Sequence, residues 1–112
     1  MTDRTVPILH VSDARASAAW YARFGFDTEW EHTFEPGLPR YVSLCRGGAR
    51  LHLSEHRLDG GPATHVYLYV DDVDAVAAAA GLVPEDQPWG MREARATDPD
   101  GNLLRIGTPS GP

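Results

Sequence analysis

The chain has 112 residues, a formal net charge of −6 and a single cysteine, which excludes an internal disulfide. A chain of this length fits one domain, 1–112, that buries roughly two thirds of its unfolded surface. The negative charge argues against nucleic acid and anionic membrane as partners, and it favours a cationic or neutral partner. No apolar stretch reaches the roughly 20 residues of a membrane span and no signal peptide is recognisable, so we expect a cytoplasmic protein.

The first half of the chain predicts a strand, a helix and three further strands. The opening strand is "TVPILHV", and Asp13 is typical of an N-cap for the helix "ARASAAWYARF". The stretch "FDTEWEHTF" alternates, which would place Phe26, Trp30 and Phe34 on one face of a strand. Two more strands, "RYVSLCR" and "ARLHLSE", flank a Gly-Gly pair that is typical of a two-residue hairpin loop. This order defines a first module, 1–58.

The second half repeats this order in a shorter form. "THVYLYV" predicts a strand, and "VDAVAAAA" predicts a helix that is capped by Asp71 or Asp72 and ends at Gly81. Little room remains for a strand between Gly81 and Trp89, so the second module, 59–112, is expected to be pruned. "MREARAT" and "NLLRIG" predict two strands joined by the tight turn "DPDG". The whole predicts an α+β fold, a curved mixed sheet with helices on its outer face and a concave face free for a ligand or another subunit.

Three features together resemble one superfamily: the paired βαβββ modules, the stretch "VSDARASAAWYARFGF" and the terminal "DPDGNLLRI". They are similar to the vicinal oxygen chelate superfamily, which includes glyoxalase I, extradiol dioxygenases, thiol transferases and bleomycin-binding resistance proteins. "QPWG" followed by "DPDGN" resembles the bleomycin-resistance branch, whose members are small, acidic, non-catalytic homodimers. The resemblance implies a homodimer with grooves at its interface, in which a bulky, cationic or aromatic antibiotic or metabolite is bound and sequestered.

The resemblance also implies four strand positions at which the enzymes of this superfamily carry His or Glu ligands of a divalent metal. Two of these positions hold His52 and His65, and the other two hold Val6 and Arg105. A catalytic divalent centre usually has three protein ligands, so His52 and His65 are weak metal candidates unless a nearby carboxylate such as Glu93 completes the set. We therefore expect no metal and no cofactor, and a binding protein rather than an enzyme.

The same reasoning predicts a set of side chains that contact the ligand. Trp89, held between Pro and Gly, would be a stacking platform at the rim of the groove. If His65 faces the groove, Tyr67 and Tyr69 face it too, because side chains two residues apart share a strand face. Burial in the core is the alternative for Trp30 and for Trp89. The predicted ligand contacts are Trp89, Phe34, Trp30, Tyr67, Tyr69, His65, His52 and Arg105.

Three functions remain open on the sequence alone. The acidic charge, "QPWG" and the incomplete metal set favour a binding protein that sequesters a small molecule. The fold together with His52 and His65 supports a metal-dependent lyase, isomerase, dioxygenase or thiol transferase. An accessory protein that binds another protein and no small ligand is the third. The sequence has no glycine-rich phosphate loop, nucleophile elbow or CxxC motif, which removes other common chemistries.

Overall fold

The computed structural model describes residues 3–33 and 35–110, and it shows the βαβββ order twice. In chain order the elements are β1 (Ile8–His10), α1 (Ala14–Ala22), β2 (Asp27–His32), β3 (Tyr41–Arg46), β4 (Ala49–Ser54), β5 (His65–Tyr69), α2 (Val73–Ala80), β6 (Glu85–Gln87), β7 (Met91–Thr97) and β8 (Leu103–Pro109). The α+β class and the repeated module are thus confirmed. A module boundary between residues 58 and 59 stays a prediction.

Each module forms its own four-stranded mixed sheet, so the predicted curved sheet consists of two separate sheets. The first has the order β1-β4-β3-β2 and the second the order β5-β8-β7-β6. In both sheets the opening strand of the module runs parallel to the closing one, and the other neighbours are antiparallel. The pruning of the second module is largest at β6, which has three residues where β2 has six, and in the connection to the next strand, which has three residues where the first module has eight.

The helices are capped by the residue types that the sequence indicated. The Asp13 carboxylate accepts hydrogen bonds from two backbone N–H groups in the first turn of α1, which have no partner within the helix. Asp72, not Asp71, makes the equivalent bond for α2. Gly81 ends α2 at φ 74°, a left-handed conformation that glycine adopts without strain. In the described part of the chain, neither helix is long and apolar enough to span a membrane.

The core lies between each helix and the sheet that it covers. Alternate strand residues point into it, among them Leu44 and Leu53 in the first module and Leu68 and Ile106 in the second. Each fully buried side chain of this size stabilises the fold by roughly 1.5–3 kcal/mol. We call this covered side of each sheet the helix face and the opposite side the open face. Core burial thus decides which strand residues are left on the open faces.

Strand β2 departs from the alternation that its sequence predicts. Its pairing with β3 shifts between Thr28 and Trp30, so Glu29 is the extra residue of a β-bulge. Such a shift moves every following side chain to the other face of the strand. Phe26 is consequently buried on the helix face, whereas Trp30 is 44% exposed on the open face. The prediction that Phe26 and Trp30 share a face is wrong for this reason, and Phe34, its third member, lies outside the described residues.

The "DPDGN" turn between β7 and β8 joins the two modules. The buried Asp98 carboxylate accepts hydrogen bonds from the Tyr21 hydroxyl of α1 and from the Asn102 side-chain amide, both at 2.9 Å. The Asn102 amide also donates to the backbone carbonyl of His10 at 3.2 Å, and its oxygen accepts from the backbone N–H of Thr64 at 3.0 Å. This one turn therefore contacts α1, the end of β1 and the start of β5, and it links one sheet to the other.

Candidate functional site

Large apolar side chains remain exposed on or beside both open faces. Trp30 lies on the first open face together with Ile8, and Tyr69 lies on the second, where it is 70% exposed. Trp89 is 58% exposed beside the second open face. Folded monomers rarely leave such side chains uncovered in groups, so the open faces are the surfaces on which a ligand or a second chain would bind.

Three aromatic rings form a cluster on the first open face. The rings of Trp30 and Tyr41 are stacked, with centroids 5.9 Å apart and planes 12° from parallel. His52 meets both edge-on, with centroids 5.4 and 5.2 Å away, and its Nδ1 is hydrogen bonded to the Tyr41 hydroxyl at 2.8 Å. Burial lowers the pKa of His52, which favours the neutral imidazole in this position. The cluster therefore holds the exposed Trp30 ring in a defined orientation.

A cleft of about 600 Å³ opens beside this aromatic cluster. It is lined by Trp30, His32 and Tyr41 on the sheet and by residues 56–59 of the loop that follows β4. Leu58, in that loop, is 97% exposed. The volume lies within the roughly 300–1,000 Å³ of pockets that hold drug-sized ligands. An aromatic wall and an uncovered leucine fit a ligand with a flat apolar part.

On the second open face a single buried carboxylate holds three side chains. Glu93 of β7 accepts hydrogen bonds from the Tyr67 hydroxyl at 2.7 Å and from the Trp89 indole N–H at 3.1 Å. Its other oxygen pairs with Arg105 at 3.1 Å. Burial alone would raise the pKa of Glu93, but these hydrogen bonds and the Arg105 charge outweigh it and leave the pKa below its ordinary value. The carboxylate is thus ionised, and both of its oxygens are engaged.

Gly107 provides the space in which the Tyr67 ring lies. It stands opposite Glu93 in the β7–β8 pairing and opposite Tyr69 in the β5–β8 pairing. A Cβ atom at this position would lie 2.8 Å from Cζ of Tyr67 and 2.9 Å from Cε of Met91. Sequence reasoning missed this requirement, because nothing in "NLLRIG" distinguishes Gly107 from the end of a strand. It also missed Tyr41, and it considered Glu93 as a possible metal ligand and not as the centre of this network.

Trp89 is presented by a tight turn and does not belong to the core. The N–H of Gly90 donates to the carbonyl of Gln87 at 3.2 Å, and Gly90 has φ 84°. Pro88 occupies the second position of this turn, where its fixed φ is favourable. Trp89 is the third residue, and its indole is tethered to Glu93. The turn and the tether together hold an exposed indole in one place.

The predicted ligand contacts divide between the two open faces. Those on the first are Trp30 and His52, and those on or beside the second are His65, Tyr67, Tyr69, Trp89 and Arg105. Tyr67 and Tyr69 share a face as expected, with ring centroids 4.8 Å apart. Within the described residues, no hydrogen bond or ring contact joins the two groups. The part of these residues in ligand binding stays a prediction.

The two histidines at the implied metal positions stand on different sheets. His52 is on β4 with its Nδ1 engaged, and His65 opens β5. At the implied carboxylate position, Arg105 is paired with Glu93. Among residues 3–33 and 35–110, no three or more His, Cys, Asp or Glu side chains are grouped so that they could hold a metal ion. The expectation of no metal and no cofactor stays a prediction.

Comparison with known proteins decides the family. A sequence model described as a glyoxalase superfamily protein matches residues 1–109 of the 112. The chain belongs to the glyoxalase superfamily. This confirms the resemblance drawn from the paired modules and the "DPDGN" turn.

Relatives of this glyoxalase-superfamily chain include resistance and antibiotic-binding proteins. A bleomycin resistance protein of Klebsiella pneumoniae is 29% identical, and the match covers 95% of this chain and 92% of that protein. A bleomycin-binding protein solved in complex with bleomycin is 28% identical over 96% of this chain and 98% of its own, with a TM-score of 0.73. TnmS3, an antibiotic-binding protein from Streptomyces sp. CB03234, is 26% identical over 98% of both chains, with a TM-score of 0.74. The similarity therefore includes both modules.

Proposed function

We propose that this chain binds and sequesters a bulky aromatic or cationic antibiotic or metabolite, without transforming it, in grooves at the interface of a homodimer. The observation that carries the proposal is that both open faces present exposed aromatic rings that are already held in place. Trp30 is stacked on Tyr41, and Trp89 is tethered to Glu93. The similarity to a bleomycin resistance protein and to antibiotic-binding proteins also supports a function in ligand binding.

Rings that are held in advance are suited to binding rather than to catalysis. A ring fixed by its neighbours loses little conformational freedom when a ligand lies on it, so more of the contact energy appears as affinity. Aromatic surfaces accept conjugated rings by stacking and cations on their faces. The cleft beside Trp30 and Tyr41 has the volume for such a ligand. None of these features requires a reacting group.

A second copy of the chain would complete the site. The Trp30 group and the Trp89 group are not joined within one chain, so a ligand that touches both needs them brought face to face. A two-fold axis that sets the first open face of one protomer against the second open face of its partner creates two equivalent grooves. The exposed apolar side chains on both faces support this arrangement, since it would cover them.

Charge supports a cationic ligand at long range. The chain carries a net charge of −6, which raises the encounter rate with cations at low salt. The cleft beside Trp30 is lined by both Asp59 and Arg57, so the attraction for a cation comes from the net charge of the whole chain and not from the cleft itself.

The proposal is tested by a thermal-shift screen with bleomycin and with glycopeptide, quinone and epoxide antibiotics. A ligand present at 100 times its Kd stabilises the fold by roughly 2.7 kcal/mol, which a melting curve resolves. We expect at least one compound to raise the melting temperature and to be recovered unchanged after incubation. If no compound shifts the melting temperature, or if the bound compound is converted, the proposal is wrong.

A metal-dependent enzyme of the same superfamily is the second candidate. The observation in its favour is that His52 and His65 both occupy implied metal positions on the sheets. Metal analysis of protein purified without a histidine tag separates the two candidates. Stoichiometric Ni, Zn, Mn or Fe that is lost in the His65→Ala variant would favour the enzyme.

A further inference from the structure

We infer that Arg95 of β7 and Arg105 of β8 together bind an anionic group of the ligand, a carboxylate, sulfate or phosphate. The inference rests on the proposed function, because the two arginines lie on the second open face, within the proposed groove. It adds a chemical requirement to the ligand: an acidic substituent placed next to its aromatic part.

The two arginines face each other across the β7–β8 pairing, where Arg95 is the partner of Arg105. Like charges at directly opposite positions destabilise a sheet. Within the described residues, the Arg95 side chain makes no ion pair or hydrogen bond. Arg105 gives one Nη to Glu93 and lies 6.0 Å from the ring centroid of Tyr67. Most of the guanidinium donors are thus free for a bound anion, which would also relieve the repulsion.

Both arginines line a small cavity at the edge of the second sheet. Its volume is about 160 Å³, and Gln87 and Leu82 are among its other walls. This volume is well below the roughly 300–1,000 Å³ that a drug-sized ligand occupies. The cavity therefore suits one substituent of a ligand whose larger part lies elsewhere in the groove.

Two carboxylates, Glu93 and Glu85, line this cavity, and only Glu93 neutralises an arginine charge. Glu93 is neutralised by Arg105, and its oxygens are engaged by Tyr67 and Trp89 as well. Glu85 of β6 is exposed, and it forms no ion pair with Arg95 or Arg105 in the described part of the chain. The charge of Arg95 is therefore not matched at contact distance. The negative charge of Glu85 would repel a bound anion. Its removal in Glu85→Gln should therefore strengthen anion binding, whereas Arg95→Gln should weaken it.

An anion site is compatible with an acidic chain because the two effects act over different distances. The net charge of −6 acts through a field that salt screens within about 8–10 Å. A guanidinium pair acts by direct, charge-assisted hydrogen bonds. Arg105 also occupies the position where the resemblance implies a metal-binding carboxylate. A positive charge there, doubled by Arg95, suits this part of the face to an anion and not to a cation.

The first experiment is an NMR titration of ¹⁵N-labelled protein with inorganic pyrophosphate at low ionic strength. We expect saturable shifts of the Nε–H signals of Arg95 and Arg105. Arg95→Gln should weaken pyrophosphate binding about tenfold, and Glu85→Gln should strengthen it about threefold. The matched control is Arg92→Gln, which removes the same charge from the same strand. Arg92 points to the helix face, where it pairs with Asp74 and Asp86, so its loss should change the Kd less than about twofold.

The second experiment separates a ligand substituent from a free inorganic anion. Naphthalene-2-sulfonate and naphthalene-2-sulfonamide share one ring system and differ in charge. The wild-type protein should bind the sulfonate about tenfold more tightly, and Arg95→Gln should reduce the difference to about threefold or less, because Arg105 alone remains. If both compounds bind equally, the pair holds only free anions and the inference is wrong. It is equally wrong if Arg95→Gln leaves pyrophosphate binding intact, or if Arg92→Gln weakens it as much.

Failure here is distinguishable from failure of the proposed function. Pyrophosphate and sulfonate binding through Arg95, with no antibiotic shifting the melting temperature, would sink the proposed function and leave the anion site standing. An antibiotic that shifts the melting temperature, with pyrophosphate binding unaffected by Arg95→Gln, would sink the anion site alone.

Discussion

The two open faces share one topology, yet they hold their exposed aromatic rings by different means. On the first, Trp30 is fixed by its neighbours Tyr41 and His52, through ring contacts and one neutral hydrogen bond. On the second, Trp89 is fixed by the buried charge of Glu93, which Arg105 balances. A ring packed on rings tolerates the loss of one contact. A ring tethered to a buried charge depends on every member of the network, because an unpaired buried charge is costly.

Removing the central carboxylate tests this difference most strongly. Glu93→Ala leaves the Arg105 charge without its partner and frees both Tyr67 and Trp89. We expect the free energy of unfolding to fall by roughly 2–4 kcal/mol, measured by urea denaturation. Tyr41→Phe on the first face is the counterpart and should cost less than about 1.5 kcal/mol, since it removes one neutral hydrogen bond. Equal losses in the two variants would show that the faces are built alike.

A side chain at Gly107 of β8 should destabilise the second open face although no polar group is removed. In Gly107→Ala the new methyl group would collide with Tyr67 and displace its ring. We expect a loss of roughly 1–3 kcal/mol in the free energy of unfolding, as for other overpacked sites. Gly48→Ala is the matched control, because no atom lies within 4 Å of a Cβ placed there. In a Tyr67→Ala background the Gly107→Ala change should cost less than in the wild type, because only the contact with the flexible Met91 side chain remains. An unchanged cost would locate the strain elsewhere.

Replacing the exposed Trp89 or Trp30 by alanine compares how much each open face contributes to ligand affinity. Trp89→Ala should weaken binding of the antibiotic found in the screen about tenfold, because stacking contributes on the order of 1 kcal/mol beyond area burial. Its folding stability should fall by about 1 kcal/mol, because the side chain is largely exposed and Glu93 loses the indole N–H but keeps Tyr67 and Arg105. Trp30→Ala should also weaken binding, and its cost in stability comes from the lost stack on Tyr41 and not from an unpaired charge. A fall of about 3 kcal/mol or more in the free energy of unfolding of Trp89→Ala would mean that this indole stabilises the fold as a core residue does.

The smallest expected effect is a difference in pH dependence between the faces. The pKa of His52 is lowered from 6.5 by burial, so its stability contribution is present above about pH 6.5 and falls as the pH drops below that value. The pKa of Glu93 is lowered from 4.5, so its contribution is lost only as the pH falls below about 4.5. Urea midpoints measured from pH 8 to 3 should therefore fall in two steps. His52→Gln should remove the first step. Glu93→Gln should make the second step smaller but not remove it, because the pKa of Glu55 is also lowered, by hydrogen bonds from the backbone of Ala14 and Arg40 and by the Arg40 charge.

Local signals in the chain were enough to predict most of the elements. Asp13 and Asp72 cap helices with their own side chains, and the Gly-Gly and "DPDG" turns reverse the chain within a few residues. Each of these features depends on atoms close together in the chain, so the residue types alone reveal it. Strand β2 shows the limit of such reasoning. Its alternation was regular, and only the pairing with β3 shows that Glu29 is an extra residue and that Trp30 faces the opposite side.

The sequence by itself determined the superfamily, the repeated βαβββ order, and the placement of Trp89 on a turn between Pro88 and Gly90. Only the tertiary structure decided what holds the exposed rings. Tyr67 and Glu93 are 26 residues apart in the chain, and they meet because β5 and β7 both pair with β8. Gly107 matters only because the Tyr67 ring crosses β8 at that position. Such contacts depend on strand order and register, which follow from burying the whole core together and which no short segment specifies.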